Sequence, residues 1–147
     1  MKRKEYTVTI AASREKVWEM LWGDKTYRIW TAPFAEGSYA ETDWKESSKV
    51  LFLGPSGNGM ISRIKTNNEP AYMSIEHIGI IVDGKEETSS EEVKEWAGSM
   101  ENYTLENKGG KTKLTVHVDI AEAYLDSFEK AFPQALQKVK ELSEKNV

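Results

Sequence analysis

Two side chains in this sequence could carry proton chemistry away from bulk water. One is His77, in the run Met73-Ser-Ile-Glu-His-Ile-Gly-Ile-Ile81; the other is Glu101, in Glu101-Asn-Tyr-Thr-Leu105. Alternation along the first run puts Met73, Ile75, His77, Gly79 and Ile81 on one face, and Ser74, Glu76, Ile78, Ile80 and Val82 on the other. The face with the histidine carries no other charge, so it is the one expected to turn inward. Glu101, Tyr103 and Leu105 share a face of a second strand. If these faces meet, His77, Glu101 and Tyr103 form a polar cluster in apolar surroundings. A buried carboxylate needs a partner or a shifted pKa, and a histidine supplies one. Such a cluster can orient a ligand, act as acid and base, or be a satisfied structural pair.

The remaining candidates are weaker. His117 alternates against Val116 and Val118 and, with Thr115 and Asp119, is expected on the solvent side. There is no cysteine, no H-x-x-x-H and no H-E-x-x-H, so no metal site and no cofactor are expected. Ser89 and Ser90 have no G-x-S-x-G around them, and no nucleophile is expected beside His77 and Glu101. Gly54-Pro-Ser-Gly-Asn-Gly59 lacks the Lys-Ser/Thr of a phosphate loop and leads into a strand, so it reads as a hairpin loop.

Composition bounds what these groups could serve. The 147 residues suit one domain, spanning 1–147, with a core large enough to need no staple. Net charge is −4 and the pI is near 5.3, which gives no reason to expect nucleic acid or anionic lipid as partner. No run nears the roughly 18 apolar residues of a membrane span, and no apolar stretch follows the basic start. A cytoplasmic chain with no membrane insertion is expected. Five Trp, six Tyr and four Phe are available for a core or a pocket.

The elements that must position the candidates follow from periodicity. Tyr6, Val8 and Ile10 mark a strand behind a charged tail. Ser13 caps a helix with Val17, Trp18, Leu21 and Trp22 on one face; Gly23 ends it, and Asp24 caps a second short helix to about Trp30. Period-two runs cover 38–44, 49–53, 60–65, 72–82, 96–106 and 111–120. Between the fourth and fifth, Asp83 to Glu95 holds six acids against two lysines and reads as a solvated connection. Tyr124, Phe128, Phe132, Leu136, Val139 and Leu142 form a C-terminal helical stripe, with a kink or break expected at Pro133. Six hairpin-linked strands and the first make a seven-stranded antiparallel sheet. Only the last helix is long enough to cover a face of it. Space left between them is where a small molecule would sit.

With that order in place, five runs carry a resemblance: Trp44-Lys-Glu-Ser-Ser-Lys-Val-Leu-Phe52, Gly57-Asn-Gly-Met60, Met73-Ser-Ile-Glu-His77, Glu101-Asn-Tyr-Thr-Leu105 and Phe132-Pro-Gln-Ala-Leu136 continuing to Leu142. The chain resembles the Bet v 1-like, START-related superfamily. Within it, the chain is similar to bacterial proteins akin to the C-terminal domain of the activator of the Hsp90 ATPase. The resemblance implies an α+β helix-grip fold with a curved sheet around the C-terminal helix. It also implies a cavity that binds a small hydrophobic or amphipathic ligand. It puts Trp30, Phe34, Trp44 and Phe52 at one end of the pocket. The expected ligand-binding set is Trp30, Trp44, Phe52, Met60, Ile75, Tyr103, Phe128 and Phe132, with His77 and Glu101 as polar tether. No catalytic residue is expected. A chaperone or stress partner is the alternative, and an enzyme using His77 and Glu101 the third.

Overall fold

The computed structural model describes residues 1–145. Strand β1 (Lys2–Ile10) is followed by α1 (Arg14–Trp22), α2 (Asp24–Trp30), β2 (Tyr39–Glu41), β3 (Lys49–Leu53), β4 (Gly59–Asn68) and β5 (Tyr72–Val82). Then come β6 (Lys85–Glu87), α3 (Glu91–Lys94), β7 (Met100–Lys108), β8 (Lys111–Ile120), a 3₁₀ turn (Glu122–Tyr124) and α4 (Leu125–Glu144). The antiparallel sheet runs β1-β8-β7-β5-β4-β3-β2, the seven strands expected, with β6 as an eighth on β5. Helices α1, α2 and α4 cover one face. This is the helix-grip arrangement.

Four local departures have physical causes. The basic start is no tail: β1 begins at Lys2 because β8 offers a full partner, and Arg3 and Lys4 form ion pairs of 2.8 Å each with Asp119 and Glu129. Gly23, rather than Asp24, caps α2; Asp24 lies in the first turn and pairs with Arg28 at 3.2 Å. Helix α4 runs through Pro133 unbroken. The proline and Glu129, whose carbonyl loses its bond, are both on the solvent face, while Ala131, Phe132, Ala135, Leu136 and Val139 hold the inner face down. The acidic connection is organised too. Strand β6 pairs with β5, and Ser90 caps α3, whose Val93 is completely buried.

Strand β5 bends at a bulge. Ile61 pairs with Gly79 and Ser62 with His77, so Ile78 is extra and the facing inverts beyond it. A Cβ on Gly79 would stand 2.5 Å from the Glu87 carbonyl oxygen, so only glycine lets β6 approach there.

Candidate functional site

His77 is fixed at the bulge by its own backbone. Its N–H donates to the Ser99 carbonyl and its carbonyl accepts from the Gly98 N–H, both at 2.9 Å. The ring points inward between three strands. Nδ1 lies 2.6 Å from Ser62 Oγ on β4, and Nε2 lies 3.1 Å from Glu101 Oε1 on β7. The Tyr103 hydroxyl donates to Glu101 Oε2. The cluster expected from alternation is therefore assembled, with Ser62 as a fourth member.

One tautomer satisfies each of these groups. With a neutral ring protonated on Nε2, Ser62 donates to Nδ1 and His77 donates to Glu101. A doubly protonated ring would leave the Ser62 hydroxyl hydrogen without an acceptor among the described residues, at a completely buried position. Burial pushes the Glu101 carboxyl up. The hydrogen bond from His77, the histidine's charge when protonated and the Tyr103 hydroxyl together outweigh burial and hold Glu101 below the ordinary glutamate range. Burial, and then the charge of Glu101, push the hydroxyls of Tyr103 and Tyr27 well above the usual tyrosine range.

This cluster forms part of the wall of a cavity of about 560 Å³ between sheet and helices. From α2 and the turn after it come Tyr27, Trp30 and Phe34; Trp30 is locked by its indole N–H donating to the Leu21 carbonyl at 2.9 Å. Phe52, Met60 and Ile80 come from β3, β4 and β5, and Phe128 and Phe132 from α4. Gly54 and Asn58 bring the glycine-rich loop to the rim. Asp119 also reaches the cavity, against the expectation that it faces solvent. Its carboxylate accepts from Arg3 Nε at 2.8 Å, Arg3 Nη2 at 3.1 Å and the Met100 N–H at 2.9 Å. The Arg3 hydrogen bond is the main reason its pKa lies below the ordinary aspartate range, burial opposing it. His117 is partly exposed and meets Glu5 at 2.7 Å.

Two expected wall residues lie elsewhere. Trp44 is not in a strand: β2 ends at Glu41, Trp44 lies beyond it with a φ of 62°, and its ring packs 4.7 Å from that of Trp22. Asn67 Nδ2 donates to its carbonyl at 2.7 Å and holds the turn. Ile75 is 1% exposed, enclosed in the core beside Ile64 and Val50 rather than bordering the void. Conversely, Tyr27, Ile80, Trp96 and Ser62 were not expected. Ser62 had a signal, the period-two face Met60, Ser62, Ile64. Ile80 lines the cavity in place of Ile81 because of the bulge. Trp96 sits in the turn after α3, not in a strand.

Chemically, His77, Glu101 and Ser62 are the residue types of a charge-relay triad, so a nucleophile type does stand beside the pair. Ser62 is completely buried and is not among the residues lining this cavity, and both histidine nitrogens are engaged. Among the described residues, no group of three His, Cys, Asp or Glu side chains is gathered as for a metal ion. No helix among the described residues is long and apolar enough to cross a membrane.

Fold and site together define a helix-grip domain with an aromatic cavity and one polar wall. Solved structures share this fold over the whole chain. Aha1 from Colwellia psychrerythraea, determined as a dimer, is 15% identical with a TM-score of 0.75, covering 99% of this chain and 98% of its own. Protein MLL2253 from Mesorhizobium loti is 11% identical with a TM-score of 0.77, covering 99% of each chain. Protein CV1439 from Chromobacterium violaceum is 14% identical with a TM-score of 0.71, covering 99% of this chain and 100% of its own. No family model and no curated protein matches the sequence.

Proposed function

We propose that the chain is a non-enzymatic binder of a small hydrophobic or amphipathic molecule, held in the cavity between sheet and α4. The observation that carries this is the cavity itself: about 560 Å³, walled by aromatic rings with a few polar groups, His77, Glu101 and Asp119 among them. Ligand pockets span about 300–1,000 Å³ and have this makeup. Binding is favoured over catalysis because His77 has no free nitrogen for a substrate and Ser62 cannot reach one. A chain of this kind works in the cytoplasm.

Trp30 and Trp96 line the cavity, so occupancy should change their fluorescence. A ligand at about 100 times its Kd should add about 2.7 kcal/mol of stability and raise the thermal midpoint. No change in either signal across acids, amines, alcohols and aromatic metabolites would sink the reading.

The fold shared with Aha1 favours a second reading, a module that docks on the chaperone partner implied by the sequence resemblance. It requires stimulation of a bacterial Hsp90 ATPase at excess protein, and an unchanged rate disposes of it.

A further inference from the structure

The cavity's charges narrow the ligand class. Glu92, Glu101 and Asp119 line it, with no lysine or arginine side chain. The nearby arginines are already matched: Arg3 is held by Asp119, and Arg28, over the Tyr39 ring, pairs with Asp24 at 3.2 Å. Met1 also lines the cavity and is 54% exposed.

The polar wall itself is an acceptor. An ionised carboxylate has about four lone-pair sites. Glu101 uses one oxygen for His77 Nε2 and the other for the Tyr103 hydroxyl, and its side chain remains 23% exposed. The ionised Glu101 brings a negative charge to that wall. Tyr27, 9% exposed, borders the same void. The rings of Tyr27, Trp30, Phe52 and Trp96 line the same void, and an aromatic face attracts a cation.

We infer that the cavity selects a cationic amphiphile, an organic amine whose ammonium donates to Glu101 while its apolar body lies among the aromatic rings, over the corresponding acid. The inference rests on the binding reading above and adds the sign of the ligand. An ammonium donates into the free lone pairs of Glu101 and offsets its charge. A carboxylate would meet a like charge where little water screens it. An alcohol gains the hydrogen bond without the charge.

The test uses one apolar body with three head groups. Decylamine, 1-decanol and decanoate are titrated calorimetrically into the protein at pH 7.5, with the neutral dye Nile red as a fourth probe. The amine should bind about tenfold or more tighter than decanoate, with decanol between them. In Glu101→Gln, the amine's advantage should shrink to about threefold or less while Nile red still binds. If this variant shows no thermal transition, the wild-type ranking alone decides. Equal affinities, or decanoate binding best, overturn the amine preference and leave the binding reading intact. Binding of Nile red alone likewise overturns the preference and spares the binding reading. If none of the four binds, both fall.

Discussion

The two halves of α4 lie over one sheet and do opposite things. In the C-terminal half, Ala135, Leu136 and Val139 are 2% exposed or less and join Ile10, Val17, Leu21 and Leu114 in a closed core. In the N-terminal half, Leu125 and Phe128 are half-buried, Tyr124 in the 3₁₀ turn just before it is 59% exposed, and the space beyond them is the cavity. The side chains explain the difference. Branched aliphatic groups interdigitate to crystal-like density. Rigid rings meeting edge to face, as Phe34 does Phe128 at 5.6 Å and Phe132 at 4.8 Å, cannot deform to close the gap. The wall opposite carries polar groups that an apolar chain would leave unpaired. One end is built for stability and the other for occupancy.

The largest expected effect tests the closed end. Leu136→Ala should lower unfolding free energy by about 2–5 kcal/mol in urea titrations, since a packed site collapses only partly around a deleted side chain. Nile red affinity should change less than about threefold. A loss of affinity as large as the loss of stability would mean that the two ends are one unit. Trp44→Ala should behave the same way, at about 2 kcal/mol for a half-buried ring on Trp22.

The polar wall belongs to both ends of this contrast, because it stabilises the fold and faces the void. His77→Ala should cost about 1–3 kcal/mol at pH 7, by leaving Ser62 and Glu101 short of a partner. The pH dependence has a definite sign. The folded pKa of Glu101 lies below its ordinary 4.5, so its stabilisation is present above that value and is lost as pH falls through the lower folded one. Asp119 acts in the same direction, its ordinary value being 3.8. Urea midpoints should therefore drop between pH 5.5 and pH 3. The drop should be smaller in Glu101→Gln, and smaller still when Asp119→Asn is added. An unchanged slope would show that the pairing contributes no stability.

The closed end was legible in the sequence and the open end only in part. Periodicity reports which side of an element is apolar, which is all that a packed core requires. It therefore placed Leu136, Val139, Met73 and Tyr103 correctly. It also brought His77, Glu101 and Tyr103 together, because all three lie before the bulge on β5 or on an unbroken strand. A bulge carries no periodic signal, so Ile80 and Ile81 exchanged places. Trp44 read as an inward strand residue because alternation cannot foresee a positive φ. Trp96 depends on Val93 anchoring a segment whose charge suggested only solvation. Whether apolar faces meet or stand apart is a property of three-dimensional shape, so Ile75 was placed on a cavity wall when it is core.

The smallest expected stability change belongs to the open end, where it separates the two regions most clearly. Met60 is half-buried and borders the void, opposite Phe52 on β3. Met60→Ala removes atoms that already face space, so no new hole opens in close packing, and the stability loss should stay under about 1 kcal/mol. An occupied cavity loses that contact entirely. Nile red should then bind about fivefold more weakly, the equivalent of about 1 kcal/mol. Leu136→Ala predicts the reverse pattern, a large stability loss with near-normal binding. If Met60→Ala instead destabilises the protein like a core deletion and leaves the dye unaffected, the void near β4 closes in solution and the contrast between the two ends of α4 disappears.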